Sequence, residues 1–273
     1  HPLLDLVSED RVMAQRIVFH VDANSAFLSW SAAYRVKVLG EELDLRTVPS
    51  VVAGDKESRH SIILAKSAPA KKYGIQTGEP LFQALEKCPD LKIVEPDYSL
   101  YVECSRHFVE VLRQFSPVVE QYSIDEAWVD MTGTERLVGP PVLAADALRR
   151  RIYEELGFTV NVGISTNKLL AKMAGDFEKP NKIHTLFPEE MESKLWPLPV
   201  RDLFLVGRAT EAKLKKMGIY TIGDIANANQ SLLQSTLGKW GDLIYSFANG
   251  YDCSPVMPID KNNKVKSIGN STT

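Results

Sequence analysis

Ile17, Val18, Phe19 and Val21 make a short apolar run of β-forming residues that changes character at Asp22. From 25 to 39 the period lengthens: Phe27, Trp30, Tyr34 and Val38 recur at helical spacing, and Gly40 is a stop. "TVPSVVAG" and "SIILAKS" read as two strands joined by the charged loop "DKESRH". A short helix at about 68 to 72 ends near Gly74, and "PLFQALEKCP" is a further helix closed by a proline. Between Leu100 and Phe115 the apolar positions Val102, Phe108, Val109 and Leu112 predict a long helix. "VVEQYSIDEAWVDMTG", residues 118 to 133, predicts a strand pair turning near Ser123 to Asp125. A helix over Val142 to Leu156 then leads to the strand "FTVNVGIS".

Strand, helix, two strands, helix, strand is the ferredoxin-like order, interrupted after its first strand by an insertion over roughly 34 to 97. The fold class expected is therefore α/β (α+β), with Asp22 and the "SIDE" acids on neighbouring central strands. Residues 197 to 226 carry two short helices around a glycine turn, with a second glycine turn at Gly218. They resemble a helix-hairpin-helix, whose backbone N–H groups grip a DNA phosphate without reading bases. Gly207, Arg208 and Ala209 are the candidate contacts. The usual form has a second glycine where this chain has Ala209, and often a proline where it has Val206. "YDCSPVMPIDKNNKVKSIGNSTT" reads as a linker whose "VKSIGNSTT" opens the first strand of a further unit. "HPLLDLVSEDRV" reads as leader residues outside the fold.

Composition narrows the picture little. The chain has 273 residues, 44% hydrophobic and 25% charged, ordinary for a globular protein of two or three domains. Cys88, Cys104 and Cys253 are odd in number and form no close pair, which argues against a disulfide framework or a zinc knuckle and for a reducing, cytoplasmic setting. No apolar run approaches a membrane span. A net charge of −3 gives no global sign of nucleic acid, yet leaves room for a local basic face.

The acids carry the candidate chemistry. Asp125 and Glu126 sit among β-formers (Val118, Val119, Tyr122, Ala127, Trp128, Val129, Met131) that need a packed sheet, so the two carboxylates need a cation or a solvated turn. Successive strand side chains point to opposite faces, so both acids serve one site only where the strand bends or ends. Asp22 supplies the third. In "GISTNKLLAKMAGDFEKPN" a strand runs into a helix capped by Ser165 or Thr166, and Lys168 and Lys172 share one face of it, beside an N-terminus suited to an anion.

The blocks "VDANSAF", "YSIDEAWVDMTG" and "VGISTNKLLAKMAGDFEKPNKI", with the hairpin near Gly207, resemble the Y-family (translesion) DNA polymerases of the bacterial DinB type, over about residues 14 to 270. The resemblance implies a ferredoxin-like palm at 14–33 and 98–185, fingers at 34–97, a small helical thumb carrying the helix-hairpin-helix at 186–253, and a linker at 254–273 toward a little finger domain. It implies template-directed addition of dNTPs to the primer 3' end of primer-template DNA, at low fidelity and without proofreading, in DNA damage tolerance. Two Mg2+ ions would be held by Asp22, the carbonyl of Ala23, Asp125 and Glu126, with no histidine required. Phe27 would be the steric gate against a ribose 2' hydroxyl, and Lys172 and Lys71 would contact the nucleotide. The sliding clamp would be a partner of the full-length protein, the chain itself a monomer.

Departures from the pattern are Ala68 and Lys71, where many relatives have a tyrosine and an arginine, Asn24 for a second aspartate, and Ala26 for an aromatic. Lysine lacks the guanidinium fork, so weaker nucleotide binding is expected. Two other readings use the same features: a nucleotidyl cyclase on a similar palm, which would need no DNA-binding hairpin, and a non-enzymatic DNA-binding module, which would not need three intact acids.

Overall fold

The structure, a computed structural model, describes residues 15–258 apart from Lys56 and Arg59. The expected leader and the "VKSIGNSTT" strand lie outside the described residues.

The central sheet runs β5-β6-β1-β7-β8, from strands β1 (Val18–Ala23), β5 (Val119–Ser123), β6 (Glu126–Asp130), β7 (Val160–Ser165) and β8 (Ile183–Thr185). β1 lies antiparallel between β6 and β7, β5 pairs antiparallel with β6, and β8 adds in parallel beyond β7. This is the ferredoxin-like order with an extra edge strand. One face of the sheet, with Phe19, Val21, Val129, Val162 and Ile164, packs on α4 (Tyr98–Phe115) through Phe108 and Leu112, and on α6 (Pro141–Leu156) through Leu148 and Ile152. The opposite face carries α7 (Lys168–Gly175), which lies so close that a Cβ on Gly163 would sit 1.9 Å from the carbonyl oxygen of Ala171. Only glycine admits that approach.

The insertion forms a second sheet in the order β3-β2-β4, from β2 (Ser50–Ala53), β3 (Ile63–Lys66) and β4 (Lys92–Val94), with α2 (Ala68–Lys72) and α3 (Leu81–Lys87). Val51, Ile63, Ile75 and Leu81 build its core. α1 (Ala26–Lys37) joins the two sheets. The helical stripe read from the sequence is only half right, because Tyr34 and Val38 are exposed. The helix instead buries opposite sides in two cores, Trp30 toward the large sheet and Leu28 and Ala32 toward the insertion. Val102 on α4 is likewise exposed.

After α5 (Glu135–Val138), α6 and α7 come α8 (Met191–Lys194), α9 (Arg208–Lys216), α10 (Ile222–Ala226), α11 (Gln230–Leu237) and α12 (Lys239–Ala248). Leu214, Ile222, Ile225, Leu233 and Ile244 form a helical core that continues onto Leu170 and Met173 of α7. The expected first helix of the hairpin is a single 3-10 turn, Val200–Asp202, held by Pro199 at its cap. The stretch after α12, read as linker, packs against the large sheet: Val256 is buried beside Val18, Trp128 and Ala171.

Candidate active site

Asp22 and Glu126 are direct register partners across β1 and β6, at the ends of both strands. Asp125 occupies the turn between β5 and β6, where the pairing register shifts between Gln121 and Ser123. The shift lets an acid outside the strand reach the face its neighbour uses. The backbone N–H of Ala23 donates to the carbonyl of Asp125 (2.9 Å), and the Ser123 hydroxyl donates to Oδ1 of Asp125 (2.7 Å). On the far side of the turn, the Ser105 hydroxyl of α4 holds the carbonyl of Ile124 (2.6 Å). Carboxylate oxygens of Asp22, Asp125 and Glu126 all lie within 4.8 Å of one another. One buried acid, Asp22, and two half-buried ones at that spacing suit a hard divalent cation, which takes oxygen ligands.

The charges of the set are uneven. Burial, then the carboxylates of Asp22 and Glu126, raise the pKa of Asp125 above its ordinary value. Burial pushes Glu126 the same way, but His20 and Lys172 outweigh it and hold that carboxyl down at about 2. Lys172 Nζ lies 2.8 Å from Oε1 of Glu126, and His20 Nε2 lies 3.6 Å from the same oxygen. His20 is buried under the acids and meets Trp128 edge-on. Sequence reasoning passed over it because the metal chemistry asks for no histidine.

The two lysines of α7 reach the sheet as the helical spacing predicts. Lys168 pairs with Glu120 (2.6 Å) and lies over the Trp128 ring, while Lys172 lies over the rings of Tyr122 and Phe204. With Phe247 and Asp252 they line a cleft of about 260 Å³. The cap of α7 is Asn167, rather than Ser165 or Thr166, and its side chain accepts from the N–H of Leu170. Nor is the first turn left open for phosphate: the N–H of Leu169 donates to the carboxylate of Asp252 (3.1 Å). The chain supplies its own anion there, from the segment that follows α12.

At the Asp22 end of the cluster sits Lys179, whose amine binds Oδ2 of Asp22 and also pairs with Asp176. Burial works against its charge, but Asp22 outweighs it and raises the Lys179 pKa. Lys179 falls in the quoted "KPN" but in no periodic element, so neither strand nor helix spacing exposes it.

Phe27 stacks on Tyr101 (centroids 4.4 Å apart, planes at 9°), with Tyr98 edge-on. Lys71 is exposed on α2; its charge and, more strongly, burial lower the pKa of Lys66 at the end of β3. Gly207 caps α9 without a side-chain hydrogen bond, and Arg208 and Ala209 form its first turn. The turn read as a glycine turn does not use Gly207 in the left-handed region, since its φ is −91; the left-handed residue there is Leu205, with φ 72.

Comparison with known proteins accords with this geometry. The mixed α/β architecture is that of the palm, fingers and thumb of Y-family polymerases: a Y-family DNA polymerase chimera superposes with TM-score 0.77 at 25% identity, covering 90% of this chain and 70% of its own. DinB from Sulfolobus solfataricus superposes with TM-score 0.75 at 26% identity, covering 89% and 69%. The chain belongs to the impB/mucB/samB family, whose pattern matches residues 21–176. Residues 201–252 match a thumb domain described for DNA polymerase-iota. Among relatives, the DNA polymerase IV of Clostridium acetobutylicum is 46% identical over 94% of this chain and 64% of its own length. That of Acetivibrio thermocellus is 40% identical over 95% and 63%. The chain thus spans less than two thirds of the length of these relatives. Among the described residues no helix is long and apolar enough to cross a membrane.

Proposed function

We propose that this chain carries the catalytic part of a translesion-type DNA polymerase, adding dNTPs to a primer 3' end on a DNA template at low fidelity, in DNA damage tolerance. The observation that carries the proposal is the convergence of Asp22, Asp125 and Glu126 at the rim of a ferredoxin-like sheet, within 4.8 Å of one another. The domains follow as palm (14–33 and 98–185), fingers (34–97) and thumb (186–253).

Asp22, Asp125 and Glu126, with the Ala23 carbonyl, would hold two Mg2+ ions. Bound there, such ions lower the pKa of a primer hydroxyl and offset charge developing on a triphosphate. The chain's own residues bind and orient. Lys172 and Lys179 neutralise opposite ends of the acid set. Both amines stand beside the acid set, where they would reach phosphate oxygens of a bound nucleotide, so Lys179 would join Lys172 as a triphosphate contact. Lys71 adds a point charge from the fingers. Phe27, braced by Tyr101, closes the space a ribose 2' hydroxyl would need. The uncapped first-turn N–H groups at Gly207, Arg208 and Ala209 take a DNA phosphate.

The test is primer extension with magnesium and each dNTP, comparing the chain with its Asp125→Ala, Glu126→Ala double variant. Template-matched addition that disappears in the variant is the expected result. Addition that survives the double substitution, or none by the folded wild-type chain at high protein and low salt, overturns the reading.

A further inference from the structure

Lys179 stands on a turn, residues 176–182, that two side-chain amides pin to the sheet. Asn161, in β7, is 0% exposed. Its Nδ2 donates to the carbonyls of Gly175 (3.0 Å) and Glu178 (2.6 Å), and its Oδ1 accepts from the N–H of Lys182 (3.3 Å). The same Oδ1 accepts from Nδ2 of Asn24 (3.0 Å). Oδ1 of Asn24 in turn accepts from the N–H of Asn181 (3.0 Å) and from the Thr159 hydroxyl (2.9 Å). The chain therefore enters this turn from Gly175 and leaves it at Lys182 tied at both ends to one amide pair. Asn24 follows Asp22 by two residues, so the segment that ends in a metal-type acid also holds the turn whose lysine returns to that acid.

A buried amide is tolerated when its donors and acceptors are met, and a saturated polar network admits one arrangement where apolar packing admits several. The side chain at position 24 has to be an amide. An aspartate would keep the two acceptor roles of Oδ1, but its other oxygen would face Oδ1 of Asn161, already an acceptor from Lys182. Turning Asn161 round to meet it would abandon the carbonyls of Gly175 and Glu178. Asn161 is therefore the residue that fits an amide, and not a carboxylate, at position 24.

We propose that Asn24 and Asn161 are positioning residues that fix the 176–182 turn so that Lys179 is presented at the Asp22 end of the acid cluster, and that they thereby set the affinity for the nucleotide triphosphate. The consequence for nucleotide rests on the polymerase reading; the hold on Lys179 does not. The chain alone tests the hold. In Asn24→Ala, hydrogen exchange at the Asn181 amide is expected to rise about tenfold, the worth of one hydrogen bond. Acylation of Lys179 by an amine-reactive ester, read by peptide mass spectrometry, is expected to rise with it, while Lys168 and Lys172 react as before. Should Asn24→Ala fail to fold, Asn24→Asp carries the same readouts with the shape retained. Unchanged protection of the turn and unchanged Lys179 reactivity overturn the proposal whether or not the chain extends primers.

Kinetics test the consequence. Asn24→Ala is expected to raise the dNTP KM about tenfold with little change in kcat, and to add nothing further in a Lys179→Ala background. An effect on KM that persists undiminished without Lys179 overturns the assignment of the pair to that lysine. Absence of extension by the wild-type chain counts against the polymerase reading, and the exchange and acylation results then decide the positioning role by themselves.

Discussion

Asp22 and Glu126 face each other as register partners on adjacent antiparallel strands, and each is held by its own lysine, Lys179 on one and Lys172 on the other. Between them Asp125 pairs with no lysine among the described residues and has a raised pKa. The acid set is thus charge-balanced at its ends and carries uncompensated carboxylate repulsion at its middle.

Asp125→Asn should stabilise the fold when no divalent cation is present. A carboxyl whose folded pKa is raised favours the folded state at low pH. That benefit is lost as pH rises from the ordinary 3.8 through the folded value. At neutral pH the variant, free of that repulsion, should melt about 2–4 °C above the wild type in EDTA. Magnesium should raise the melting temperature of the wild type and move the variant less. Thermal melts with and without magnesium check both, and a variant that melts lower in EDTA would contradict the account.

Lys172→Met should show the opposite pH dependence. The Glu126 carboxyl, held at about 2 against an ordinary 4.5, contributes stability above 4.5 that is lost as pH falls toward 2. The variant is expected to lose roughly 1–3 kcal/mol at neutral pH, as for a charged hydrogen bond that is half buried. The gap to the wild type should narrow below about pH 4.5, since protonated Glu126 no longer needs the amine. Urea titrations across that range read the difference directly.

Phe27→Val removes the ring stacked on Tyr101. A loss of about 1–2 kcal/mol of stability is expected from the truncation. On the polymerase reading the same variant should incorporate ribonucleotides that the wild type refuses. Single-nucleotide extension with dNTP and rNTP measures the ratio, and unchanged discrimination would leave Phe27 a packing residue.

Leu205→Gly should raise stability. Leu205 holds φ 72 at the turn before α9 and is 39% exposed, so glycine would relieve the left-handed backbone at small cost in burial. A gain of about 1 kcal/mol in urea denaturation is the expected outcome. A loss would mean that the Leu205 side chain packs more tightly than its exposure implies.

Much of this molecule is legible along the chain because its determinants are local. Alternation and helical spacing marked β1, the β5–β6 pair, α4, α6 and β7, and the break at the end of β1 together with the turn at Asp125 marked where acids can leave a sheet. Lys168 and Lys172 were legible for the same reason, since one helix face carries both. Elements whose environment comes from elsewhere were not. α1 lies between two cores, so its buried side is chosen by both and not by its own stripe. The α7 N-terminus is closed by Asp252, far along the chain, and the left-handed turn fell at Leu205 because backbone geometry, not residue type, decides it. Lys179, His20 and the Asn24–Asn161 pair matter through contacts with residues distant in sequence. Sequence by itself determined which segments form and which acids approach one another; only the tertiary structure decided which cations balance them, because that balance is set by distance through space and by burial, neither of which has a period along the chain.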